Sequence, residues 1–72
     1  MTLLNAVINS EYIIDSVDDI LVPRAYALGW FPKVSITLLR YAPLGDPVQV
    51  RIGPSTFSIR KAEASHIHIK KK

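Results

Sequence analysis

A turn at residues 42–47 lies between two β-prone runs and constrains the fold more than any other segment. Residues 34–41 before it are rich in β-branched and aromatic side chains, and residues 48–52 after it alternate between apolar and polar, so both are predicted to be strands. Its two prolines lack N–H donors, and Gly45 supplies the flexible backbone that a tight reversal needs. The sequence therefore predicts a β-hairpin, with Asp46 bonded to the backbone of its own turn.

One short helix is predicted before this hairpin. Residues 22–28 have a proline near their start, where a helix tolerates it, and Gly29 suits the left-handed position just past a helix end. Asp15, Asp18 and Asp19 precede this helix in a polar segment that is predicted to interrupt regular structure. Carboxylates there accept hydrogen bonds from free backbone N–H groups, so we expect these aspartates to cap the helix.

Three further strands are predicted from short β-prone runs, at residues 12–14, 56–60 and 66–69. Residues 61–65 are predicted to form a single helical turn, whereas residues 3–8 are apolar without a clear period and stay open between a strand and a helical turn. About five short strands, one short α-helix and tight connections indicate a mainly β fold, in which a small barrel protects the strand edges.

Length and composition indicate a single small domain, residues 1–72. The chain has no cysteine, so it has neither a disulfide framework nor a thiolate metal site. Polar residues break the early apolar stretches, and we find no signal peptide and no membrane-spanning stretch. A cytoplasmic location is therefore expected, with any link to a membrane made through a partner.

The net charge of +3 comes largely from Lys70, Lys71 and Lys72 at the end of the chain. Such a run is typical of a solvated tail, and the remaining basic residues are scattered over different predicted elements. We therefore expect no nucleic-acid partner.

His66 and His68 are the candidate metal ligands of this chain. They are two residues apart on a predicted strand, so their imidazoles lie on one face. A metal site needs about three or four ligands, and Glu63, across a turn, is the nearest carboxylate in the sequence. Solvent-facing histidines are the simpler interpretation, so no metal site and no cofactor are predicted.

No motif for catalysis is present. The chain lacks a glycine-rich phosphate loop and a nucleophile elbow, and none of its serines stands in a sequence context that would activate its hydroxyl. The sequence predicts that the protein is not an enzyme.

The remaining possibility is that the protein binds a partner through an apolar surface. Leu44 at the hairpin tip and Tyr26 on the short helix are apolar residues that the core pattern does not require, and Arg24 lies beside Tyr26. We predict these three residues as a partner-binding surface. Trp30 and Leu28 are instead expected to be buried beneath the helix.

In order and spacing, the segments around the hairpin resemble the FeoA family, the small cytosolic accessory proteins of bacterial ferrous iron uptake. The matching segments are Leu28-Gly29-Trp30, the turn Ala42-Pro43-Leu44-Gly45-Asp46-Pro47, Gly53, Ile59-Arg60 and Glu63-Ala64. Two positions depart from the family pattern: Lys33 stands where a glycine is usual, and Asn9-Ser10 stands where a Pro-Gly pair is usual.

The resemblance implies an SH3-like barrel and a partner, the membrane ferrous iron transporter FeoB, whose cytosolic region this chain is expected to contact and modulate. Two other functions stay open. A small-barrel nucleic-acid-binding or transcription-regulatory module is one, since iron-dependent repressors carry a similar domain. A weak divalent-metal (iron) binder, acting through His66 and His68, is the other.

Overall fold

The computed structural model describes all 72 residues and contains one five-stranded antiparallel sheet. The strands are β1 (Glu11–Val17), β2 (Ser35–Tyr41), β3 (Val48–Ile52), β4 (Ser55–Ile59) and β5 (Ile67–Lys71). The helices are α1 (Val22–Leu28) and the one-turn α2 (Lys61–Ala64), and two 3₁₀ turns span Leu3–Asn5 and Asp19–Leu21. The strand order is β4-β3-β2-β1-β5. The predicted mainly β fold is confirmed.

The core consists of apolar side chains alone. All 16 buried residues are apolar or aromatic, and they alternate along the strands, as Val48, Val50 and Ile52 do in β3. Trp30 is buried as predicted, with its ring edge-on to Phe57 at a centroid distance of 5.4 Å. Leu28, in contrast, is exposed, so the prediction that it is buried with Trp30 was wrong.

Helix α1 begins and ends as predicted. Gly29 has a φ of 86°, and the N–H of Trp30 returns to the carbonyl of Ala25 at 2.8 Å, which closes the last turn. None of the helices has the length and apolar character needed to cross a membrane.

Two residues other than glycine have left-handed backbones, and they lie at the two departures from the FeoA pattern. Asn9 has a φ of 66° and Lys33 a φ of 75°. The N–H of Lys33 bonds to the carbonyl of Ile14 at 2.7 Å, so the strained residue also holds the chain against β1. Both positions therefore keep the left-handed turn geometry without glycine, the residue that adopts it most easily.

The predicted polar break at residues 15–19 is wrong in its first half, because β1 continues to Val17. Pairing with β5 extends this strand: Ser16 is opposite His68 and Val17 opposite Ile67, after a register irregularity. Partner strands thus override a weak local preference for a loop.

The lysine run is likewise not a free tail. Lys70 and Lys71 belong to β5. The ammonium of Lys70 lies 3.7 Å from a carboxylate oxygen of Asp15, and that of Lys72 lies 3.4 Å from one of Glu11.

Candidate functional site

The hairpin tip between β2 and β3 presents one apolar side chain to solvent. Two backbone bonds close the turn: the N–H of Gly45 donates to the carbonyl of Ala42 at 2.7 Å, and the N–H of Ala42 donates to that of Pro47 at 3.0 Å. Leu44 between them is 97% exposed. An aliphatic side chain is thus held in water on a hydrogen-bonded turn.

The same tip is anchored to helix α2. The prediction that Asp46 bonds to its own turn was wrong: its Oδ1 accepts from the backbone N–H of Lys61 at 3.0 Å. The first N–H groups of a helix lack partners within that helix, and the carboxylate supplies one from another part of the chain. The Lys61 ammonium also lies 5.5 Å from the ring centroid of Tyr41, at the end of β2.

Helix α1 carries the second exposed group. Tyr26 is 48% exposed, and its ring meets Phe31 edge to face at a centroid distance of 5.0 Å. Phe31 is itself exposed, so the two rings form an aromatic pair on the surface.

The side chain of Arg24 is held by two contacts within the protein. Its Nε lies 2.6 Å from Oε2 of Glu63 on α2, and its guanidinium lies 5.9 Å from the ring centroid of Trp30. Arg24 and Glu63 share a cleft of about 320 Å³, which is also lined by Ile20, Leu21, Ala62 and His66. Arg24 and His66 therefore line the same cleft, and neither Tyr26 nor Leu44 lines it.

Asp18, just after β1, bonds to both histidines, His66 just before β5 and His68 within it. Its Oδ2 lies 3.0 Å from Nδ1 of His66, and its Oδ1 lies 2.8 Å from Nε2 of His68. Hydrogen bonds from His66 and then from His68 lower the pKa of the Asp18 carboxyl. The cluster fastens the junction between β1 and α1 to the last strand.

This cluster corrects two expectations. Asp18 makes no side-chain cap on the 3₁₀ turn that follows it, because its carboxylate is occupied by the imidazoles. The histidines are half-exposed and hydrogen-bonded, rather than simply solvent-facing. Asp18 is 48 residues before His66, and no local pattern signals that the two side chains meet.

The cluster is not arranged as a metal centre. No group of three histidine or acidic side chains has the geometry to hold a metal ion. One nitrogen of each imidazole, Nδ1 of His66 and Nε2 of His68, instead faces a different oxygen of the Asp18 carboxylate. The arrangement is suited to a hydrogen-bonded structural tie between strands.

A family model described as the FeoA domain matches residues 1–71 of the chain. No curated protein matches this chain. Among solved structures, iron(II) transport protein A from Clostridium thermocellum superposes with a TM-score of 0.88 at 29% identity; 99% of this chain is covered, and it spans 45% of the length of that protein. The FeoA protein from Chlorobium tepidum has the same TM-score at 27% identity, with 99% of this chain and 70% of that one covered.

A third structure defines the fold class. FeoA from Stenotrophomonas maltophilia, described as a prokaryotic SH3 domain protein complexed with zinc, has a TM-score of 0.82 at 24% identity, with 97% of this chain and 89% of that one covered. The likeness confirms the SH3-like fold that the sequence resemblance implied.

Proposed function

This chain belongs to the FeoA family of ferrous iron transport proteins, and on that premise we propose that it is a non-enzymatic accessory protein that docks on the transporter FeoB and modulates it. The proposed contact surface consists of Leu44, Tyr26 and Arg24, and the proposed site of action is the cytoplasmic region of the transporter. The Stenotrophomonas maltophilia relative is itself described as possibly a ferrous iron transport activating factor.

The exposure of Leu44 is the observation that carries the proposal. A leucine side chain is most stable when it is buried, yet Leu44 is 97% exposed. The surrounding turn fixes the backbone of Leu44 at this exposed position through its backbone bonds and the Asp46–Lys61 anchor. A backbone that is already positioned loses little conformational entropy when a partner covers it. An exposed leucine on such a backbone can enter an apolar pocket on the transporter and remove its apolar surface from water.

Tyr26 and Arg24 extend the proposed surface onto α1. Tyrosine and arginine are both enriched among the residues that dominate protein interfaces. The pairing of Arg24 with Glu63 and of Tyr26 with Phe31 limits the motion of both side chains before contact. A surface of three such residues suits a modest, reversible interaction.

Modulation requires that the docked protein contact two states of the transporter differently, since a ligand shifts an equilibrium only by its differential affinity. A binding role is favoured over a catalytic one because no serine of the chain stands in a sequence context that would activate its hydroxyl, and Asp18 holds one ring nitrogen of each of His66 and His68 as a tie between chain segments.

The test is a binding titration of the cytosolic region of FeoB from the same genome, and of the full-length transporter, with and without nucleotide. We expect Leu44→Asp to weaken binding at least about ten-fold, because it places a charge in an apolar contact. Val7→Asp is the matched control, since Val7 is also an exposed aliphatic residue and lies outside the proposed surface.

Equal affinities of Leu44→Asp and the unaltered protein would contradict the proposed surface. An equal loss in Val7→Asp would also contradict it. No binding of the unaltered protein to either form of the transporter would overturn the docking proposal itself.

A further inference from the structure

The two edge strands of the sheet, β5 and β4, differ in how far their outer backbone groups are covered. At the β5 edge, the N–H of Ile69 donates to the carbonyl of Met1 at 2.8 Å, and Thr2 forms an isolated antiparallel bridge with His68. Exposed Lys70 and Lys71 add charge at the end of this strand. Covering segments and lysines are two common ways of preventing an edge from pairing with another chain.

The β4 edge has no such cover. Strand β4 pairs only with β3, through a two-residue turn that places Ile52 opposite Ser55. Along β3 the backbone groups point alternately to either neighbour, and Gly53 donates toward β2, to the carbonyl of Ser35. The even-numbered residues of β3 therefore face β4, so the N–H and C=O groups of Thr56 and Ser58 point away from the sheet.

Residues 55–59 contain neither a charged residue nor a proline, two features that often prevent an edge from pairing, and Thr56 and Ser58 are exposed. Phe57 is half-buried, with its inner side against Trp30. A short run of free backbone groups next to a partly covered aromatic ring is a surface for strand addition.

We propose that the β4 edge binds a second copy of this chain by antiparallel β4–β4 pairing about a two-fold axis at Phe57. This inference goes beyond the proposed docking on a transporter, because none of its residues belongs to that docking surface. A symmetric pair requires a surface that is complementary to itself, and a segment without charge meets its copy without repulsion.

The register follows from which groups are free. With Phe57 opposite Phe57 of the second copy, each Thr56 lies opposite a Ser58, and the outward N–H and C=O groups form four hydrogen bonds. Both phenylalanine rings then lie on one face as a cross-strand aromatic pair, and the hydroxyls lie on the other. Pro54 has no N–H to donate and ends the run at one side.

The experiment is sedimentation velocity over a concentration series from about 10 µM to about 1 mM, with amide chemical shifts recorded on the same samples. We expect a concentration-dependent dimer, with shifts centred on Thr56, Phe57 and Ser58. Ser58→Pro removes an outward N–H without touching the β3 ladder and should raise the dimer Kd at least about ten-fold. Ser58→Ala keeps that N–H and should dimerise like the unaltered chain.

Thr56→Lys provides a second block that does not depend on proline, because it introduces charge at the edge of each copy. Circular dichroism confirms that each variant is folded before its association is measured. A protein that stays monomeric over the whole series would overturn the proposal. Unchanged association of folded Ser58→Pro and Thr56→Lys, or shifts confined to other strands, would do the same.

Discussion

Asp18 and His68 are 50 residues apart in the sequence, and Oδ1 of the first lies 2.8 Å from Nε2 of the second. The same carboxylate also bonds to His66, so one side chain links the residue that follows β1 to His68 in β5 and to the residue just before that strand. Strand β5 is paired on its other edge only by residues at the N-terminus. Asp18 therefore adds a side-chain link to the backbone ladder that joins β1 and β5.

Replacing Asp18 by asparagine should lower the free energy of unfolding near neutral pH. The difference in stability between the two proteins should become smaller in acid. The hydrogen bonds lower the pKa of Asp18 in the folded state. Its contribution is thus fully present above the ordinary aspartate pKa, about 3.9, and is lost as pH falls through the lower folded-state pKa. Urea unfolding of both proteins between about pH 2 and pH 7 measures the difference.

A difference between these two proteins that stays constant over the acid range would contradict this account of the carboxylate. Asp15→Asn serves as the control, because Asp15 also lies near the end of β1 but faces only the Lys70 ammonium at 3.7 Å. An exposed pair of this kind contributes little, so we expect a smaller effect.

Asp46→Ala should detach the hairpin tip from α2. The variant loses the acceptor for the Lys61 N–H, and we expect a loss of about 1 kcal/mol, in the range of helix-cap removals. Asp46→Asn keeps an oxygen acceptor and should lose less. Hydrogen exchange of the Lys61 amide reports the bond directly, and unchanged protection in Asp46→Ala would show that the anchor is unimportant.

Lys33→Gly should stabilise the protein. Lys33 has a φ of 75°, a conformation that costs a side-chain-bearing residue about 1–2 kcal/mol, and glycine removes most of that strain. The greater freedom of glycine in the unfolded chain offsets part of the gain, which leaves about 0.5–1 kcal/mol. Lys33→Ala has the same strain and should stay close to the unaltered stability; equal values for both variants would contradict the explanation.

Gly29→Ala should destabilise the protein by about 1 kcal/mol through backbone strain alone. A Cβ at Gly29 would have no atom within 4 Å, so steric contact contributes nothing, while its φ of 86° penalises alanine. Thermal unfolding measures the change. Gly29→Asn should lose less, since asparagine tolerates this region, and a larger loss in asparagine than in alanine would argue against backbone strain as the cause.

Patterns that depend on near neighbours could be read from the sequence. The hairpin at residues 42–47, the helix at 22–28 with its glycine end, and the apolar alternation of β3 were all predicted, because a turn, a helix end and a strand face each depend on a few consecutive residues. The resemblance to the FeoA family likewise rests on short local segments, taken in their order and spacing along the chain. Two of the three proposed contact residues, Leu44 and Tyr26, were also predicted as exposed apolar side chains.

Tertiary structure alone decided which distant groups meet. The carboxylate of Asp18 faces the histidines instead of a helix N-terminus, Asp46 reaches α2 instead of its own turn, and Leu28 is exposed although it follows the helical pattern of the core. The strand order closes the β5 edge and leaves the β4 edge free. Carboxylates bond to whichever donor the folded chain brings within about 3 Å, and that choice depends on strand order and register, which local sequence patterns do not contain.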